Sequence, residues 1–119
     1  MANRYWVGNN GTWNASSTTN WSSSSGGAGG ASVPTTSDDV IFDANSFSSD
    51  ARTVTLGAWG NCRSFTTQNI DQTVTFSGAS QRIVFNGGFY LSNKVTMSIQ
   101  LIQMGSGSGD LTTNGVDIK

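Results

Sequence analysis

The feature that most constrains this chain is a triplet that returns at nearly fixed intervals. Val54-Thr55-Leu56, Val74-Thr75-Phe76 and Val95-Thr96-Met97 are spaced by 20 and then 21 residues. Within each triplet the apolar residues at i and i+2 share one face of an extended strand, and the threonine faces the other way. A second apolar stretch follows in each unit, around Phe65, Phe85 and Ile102, and a third near Ile70, Leu91 and Leu111. Asn93 and the Asn114-Gly115 pair read as turns between units. Units of this length, each with about three short strands, are the pattern of a β-solenoid. Rungs stacked about 4.8 Å apart would place Val54, Val74 and Val95 in one internal column and Leu56, Phe76 and Met97 in another. An antiparallel β-sandwich would show similar local strands, but it does not require the triplet to recur. The expectation is an all-β chain with a short parallel β-helix of about three rungs, the sandwich being the alternative.

Composition points the same way. Ser, Thr, Gly and Asn make up about half of the 119 residues. Charged residues are 11%, against roughly 25% in ordinary globular domains. Glu is absent and only Lys94 and Lys119 are lysines, so exposed helix faces lack their usual residues. What remains is turn formers and β-formers. Low charge with abundant Ser and Gly also fits disorder. Four Trp, six Phe and two Tyr, spread along the chain, argue for a packed core instead.

Three regions can be separated. Residues 1–21 are aromatic and turn-rich. Arg4 to Val7 alternates like a strand, and Gly8 to Gly11 is a turn signal. Trp6, Trp13 and Trp21 read as an aromatic cap over one end of a core, with a sugar-stacking surface as the functional alternative. Residues 22–38 form a Ser/Gly-rich segment expected to be a mobile loop or hinge. It lacks the Lys-Ser/Thr of a phosphate-binding P-loop. Residues 39–119 hold the solenoid, forming one domain with the cap. Asp39 to Asp43 reads as a lead-in strand with an apolar centre.

The chemistry available is narrow. The seven acids are Asp38, Asp39, Asp43, Asp50, Asp71, Asp110 and Asp117. Asp38 and Asp39 point to opposite faces of a strand, while Asp39 and Asp43 share a face roughly 13 Å apart. Glycosidase pairs need about 5–9.5 Å. Asp50 and Asp71 could stack one rung apart, but both sit beside turn residues, where Asp is a turn former. With no His and no Glu, a serine nucleophile would lack its general base. No catalytic residue is assigned, and no enzyme is expected. One Cys and no His exclude ordinary zinc or haem sites. The run DDVIFD lacks the spacing of a calcium loop. No cofactor and no metal are expected. Cys62 reads as a buried small hydrophobe.

A net charge of −1 with scattered basic residues gives no footprint for nucleic acid or for an anionic membrane. The longest apolar runs are too short for a transmembrane segment. MANRYWVGNN has no apolar core of a signal peptide. The sequons at Asn10, Asn14 and Asn20 are accordingly read as unglycosylated.

The order RYWVG-x-x-GTW, NW-S-x-S-x-GGAGG and VP-x-x-x-DDV-x-FDA resembles the N-terminal region of structural proteins of tailed bacteriophages. The later VTL, NCRSFT, VTFSG and LTTNG segments are similar to the repeat that often follows it. The resemblance covers nearly the whole chain and is most specific in its first 45 residues. It implies a virion structural protein at the phage particle surface: a tail fibre or spike component, or a capsid decoration protein. It carries no catalytic motif. Partners would be other virion proteins, and a homotrimer is expected by analogy. A core of about three rungs buries little apolar area, which also invites oligomerisation. The alternative is a glycan-binding adhesion module that meets a host surface glycan. Trp6, Trp13, Trp21, Trp59 and Tyr90 are the candidate assembly or glycan contacts.

Overall fold

The computed structural model describes residues 2–104 and 110–112. Asn114-Gly115, Asp117 and Lys119 lie outside the described residues. Among the described residues there is no helix, as a chain without Glu and nearly without Lys would suggest. The strands are β1 (Asn3–Trp6), β2 (Gly11–Trp13), β3 (Trp21–Ser22), β4 (Asp39–Asp43), β5 (Arg52–Leu56) and β6 (Gly60–Cys62). They continue with β7 (Ser64–Asn69), β8 (Val74–Phe85), β9 (Gly88–Tyr90), β10 (Val95–Met104) and β11 (Asp110–Thr112).

The strands form two sheets. One has the order β11-β9-β7-β4-β1-β3; the other is β10-β8-β5-β2, with β6 also paired to β8. From β4 onward the chain passes back and forth between the sheets. Among the described pairings only β1 with β3 is antiparallel. Parallel neighbours cannot be joined by a tight hairpin. Here the strand on the opposite sheet serves as the crossover between them.

The register corrects the expected columns. Val95 pairs with Val74 and Met97 with Phe76, as the triplet spacing predicts. Between β5 and β8 the register is displaced by two residues: Arg52 faces Val74 and Val54 faces Phe76. The column is therefore Val54, Phe76 and Met97, while Leu56 faces Trp13. The turn before β5 sets this offset. Ala51, at φ 62°, donates its N–H to Thr73 Oγ1 at 3.0 Å, and Thr73 N–H donates to Asp50 Oδ1 at 3.1 Å. A slip of two residues keeps every side chain on its face, so the apolar interior survives it.

The second apolar stretch, around Phe65, Phe85 and Ile102, does not occupy one equivalent position in each unit. Phe65 lies on β7 and pairs with Phe89, not Phe85. Phe85 pairs with Cys62 and Met104, and Ile102 with Ile83. The reason is local. In the first unit, Gly57 to Trp59 interrupt the strand and split it into β5 and β6. In the second unit, β8 runs on for 12 residues without a turn. Ile70 and Leu91 are buried just beyond β7 and β9.

The core is a single cluster whose large indole rings sit at its N-terminal end. Trp6, Trp13, Trp21, Phe42 and Phe65 are all buried and pack ring against ring. Phe65 and Phe89, on the neighbouring strands β7 and β9, stack in parallel with centroids 4.5 Å apart. Such pairs add about 0.5–1.5 kcal/mol each beyond the area they bury. In the later strands Val74, Ile83, Val95, Met97 and Ile99 share the interior with Phe85, Phe89 and Leu91.

Residues 2–21 lie at one end of both sheets, and they also continue the parallel ladders: β1 pairs with β4 and β2 with β5. The turn between β1 and β2 depends on glycine. Gly8 has φ +87°, and a Cβ there or on Gly11 would strike the Asn20 side chain. Asn20 is buried and donates Nδ2–H to Val7 O at 2.6 Å. The same turn ties onto the next unit, because Asn10 Oδ1 accepts from Thr53 N–H and Asn9 Oδ1 from Ser48 N–H.

The Ser/Gly-rich segment is hydrogen-bonded to its surroundings at several points. Gly30 N–H donates to Thr18 O, Ala31 N–H to Trp21 O, and Ser25 Oγ to Asp43 Oδ2.

Candidate functional site

The candidate aromatic residues divide sharply. Trp6, Trp13 and Trp21 are 0%, 1% and 0% exposed. Their rings are packed against one another and against Phe42, so the proposed sugar-stacking surface is not built from them. Trp59 is 50% exposed. Tyr90 is half-buried on β9 and lies across Gly88 of its own strand, where a Cβ would collide with the phenol.

Trp59 stands at the corner where β5 gives way to β6. Gly57 N–H donates to Trp13 O at 2.9 Å, fixing the start of the break. Gly60 closes it: a Cβ there would sit 2.8 Å from the Trp13 ring, so only glycine lets the chain cross the buried indole. Between these two anchors the Trp59 side chain is turned outward. β8 bends at the same level, where Gly78 has φ +149° and the register with β10 shifts. Just after that bend, Arg82 places its guanidinium 4.1 Å from the Trp59 ring centroid. Arg82 in turn donates from Nη1 to Gln103 Oε1 at 2.8 Å. Three successive units thus brace one exposed indole, and one of its faces is covered.

Beside Trp59 lies an open groove of about 380 Å³. Trp13, Asn14 and Asn61 line it together with Trp59, and Pro34, Thr35 and Thr36 line it from the loop before β4. No charged side chain lines it. Asn14 Oδ1 accepts from Ser16 N–H and Ser17 N–H, which holds that turn and leaves the amide NH₂ as a donor.

The loop wall is set by Asp38. Its carboxylate accepts from Thr35 N–H at 2.9 Å, from Thr35 Oγ1 and from Ala2 N–H. Burial pushes the Asp38 carboxyl up. The hydrogen bonds from Thr35 and Ala2, with the charge of Arg4, outweigh it and hold the group below the ordinary carboxylate value.

The other acidic side chains with a described partner are structural. Asp39 pairs with Arg63 and accepts from Ser64 Oγ at 2.6 Å. Asp43 accepts from Ser25 Oγ and Asn45 N–H. Among the described residues there is no group of three or more His, Cys, Asp or Glu that could hold a metal ion. Cys62 is fully buried. Burial, with the negative charge of Asp39, pushes its thiol up to about 12. No helix among the described residues is long and apolar enough to cross a membrane.

No family model matches the chain, and neither a curated protein nor a solved structure does. The groove must therefore be read from its own chemistry. It offers the exposed Trp59 ring, the edge of the buried Trp13, apolar Ala15, Val33 and Pro34, neutral amides and hydroxyls, and no charged side chain. Reading the sequence singles out Trp59 but not Asn14, Thr36, Asn61 or Arg82. The one signal for them is Gly57-Ala58-Trp59-Gly60, which breaks a strand pattern and so marks a corner.

Proposed function

We propose that this chain is a structural protein of a bacteriophage virion, exposed on the particle as a tail fibre or spike component or as a capsid decoration protein. The fold is read as a short β-solenoid in which each passage through both sheets makes one rung. The observation that carries the proposal is the run of parallel pairings from β2 through β5 and β8 to β10. A ladder of this kind is stiff and can be extended by adding rungs. Among the described residues β10 has no pairing on its outer side, and ten residues of strand are offered there. Open strand edges of that length are normally covered by another chain or segment. A homotrimer with neighbouring virion proteins would bury such surfaces. The resemblance of the first 45 residues to phage structural proteins supports the same reading.

Immunogold labelling with antibodies raised against the chain tests this on particles produced by the genome that encodes it. Label on the particle surface is the expected result. Intact particles without label, together with cell lysate containing the free protein, would overturn it. Sedimentation at micromolar concentration tests the assembly separately: a trimer is expected, and a monomer alone would count against it.

A second reading, a glycan-binding adhesion module, is favoured by the groove beside Trp59. The two are compatible, since an attachment component would present such a site.

A further inference from the structure

We infer that the groove beside Trp59 is a seat for a neutral sugar ring, which stacks on the indole and hydrogen-bonds to Asn14, Asn61 and Thr36. The inference rests on the glycan-binding reading and gives it a place and a ligand class.

The aromatic partner comes first. A half-exposed indole leaves apolar ring surface whose burial by a ligand would be favourable. Trp59 is also held in position, with Arg82 on one face and Gln103 holding Arg82. A braced ring loses little conformational freedom on binding, which favours it as a docking surface. The C–H face of a pyranose is a flat, weakly apolar surface suited to the free part of such a ring.

The polar partners come second. Asn14 has its carbonyl oxygen engaged and its NH₂ free to donate. Asn61 and Thr36 have no side-chain hydrogen-bond partner among the described residues. A carboxamide and a hydroxyl both donate and accept, and so do the hydroxyls of a sugar. Thr35, by contrast, has its hydroxyl committed to Asp38 and Ser37. That bond keeps the wall in place and contributes no contact to a ligand.

Charge decides the class. The lining carries no Arg, Lys or Asp; the Arg82 guanidinium lies against the Trp59 ring and outside the groove lining, with Nη1 donating to Gln103. An acidic sugar or a phosphate would find no cation in the lining to bond it directly, whereas a neutral sugar needs none. A purely apolar ligand would leave the amides unpaired. The volume is at the small end of ligand sites, roughly 300–1,000 Å³, which suits a short saccharide.

The test is native gel electrophoresis of the full chain through gels containing dextran, a soluble mannan or hydroxyethyl cellulose, with alginate as the acidic comparison. A printed array of neutral glycans extends the panel. The expected result is retardation or binding by at least one neutral glycan, with the Trp59→Ala chain weakened about tenfold or more, as for loss of an aromatic anchor. Asn61→Asp, which puts a charge in the groove, should weaken binding while leaving the unfolding midpoint unchanged. Binding that Trp59→Ala leaves intact would overturn the assigned site while the adhesion reading stood. Binding to alginate alone would overturn the ligand class. Binding to no neutral glycan would overturn both, and particle labelling would still decide the virion reading.

Discussion

Trp13 and Trp59 both line the groove, yet Trp13 is 1% exposed and Trp59 is 50% exposed. They belong to two regions built on different terms. Trp13 ends strand β2 and points inward, where Trp21, Phe42 and Phe65 receive it. Trp59 stands in a three-residue break between strands, where no alternation dictates a face. The difference teaches that residue type alone does not separate core from site in a chain so rich in aromatics. The backbone context, strand or corner, does.

The sharpest way to break this comparison is to truncate one Trp of each kind. Trp13→Ala should cost about 3–5 kcal/mol in urea unfolding, the range for a buried aromatic. That is a large part of the roughly 5–15 kcal/mol that stabilises a domain. Trp59→Ala should cost only about 1 kcal/mol, chiefly the contact with Arg82. Equal effects would remove the distinction. Gly60→Ala comes next. Its methyl group would press on the Trp13 ring, and overpacking of this kind costs about 1–3 kcal/mol. A melting temperature equal to that of the parent chain would show that the corner does not rest on the buried indole.

Asp38→Asn sharpens the other wall of the groove. It weakens hydrogen bonds to a charged acceptor, so a loss of about 1 kcal/mol at neutral pH is expected. The pH dependence has a definite sign. The folded carboxyl lies below its unfolded value of 3.8. Its stabilisation is therefore present above that value and is lost as pH falls through the folded pKa. The gap between parent and variant should close in that acid window, as read by denaturation at stepped pH. A gap that stayed constant there would contradict the assignment.

Cys62 gives a reactivity test with no mutation. The thiol is buried and pushed up to about 12, and only the thiolate attacks. At pH 8 the native chain should resist a thiol reagent that labels the urea-unfolded chain completely. Rapid native labelling would place Cys62 outside the core.

Much of the sheet was legible in the sequence because alternation and recurrence are local signals. Asp39 to Asp43 is a strand as read, and Val74-Thr75-Phe76 stacks on Val95-Thr96-Met97. The two-residue offset of β5 was not legible, since it depends on turn bonds between Asp50, Ala51 and Thr73 across a gap of 22 and 23 residues. A slip that preserves the face leaves no trace in the hydrophobic pattern. The groove was legible only at Trp59. Asn14, Thr36 and Asn61 are three neutral residues among many, and nothing local marks them as neighbours.

Fluorescence quenching tests the central claim most directly, because it asks which tryptophans meet solvent. In the parent chain, acrylamide should reach Trp59 and leave Trp6, Trp13 and Trp21 largely untouched. Trp59→Phe should then leave a blue-shifted emission that acrylamide hardly quenches. Strong quenching that persists in Trp59→Phe would mean that the N-terminal tryptophans are exposed, and the packed aromatic end described here would be wrong.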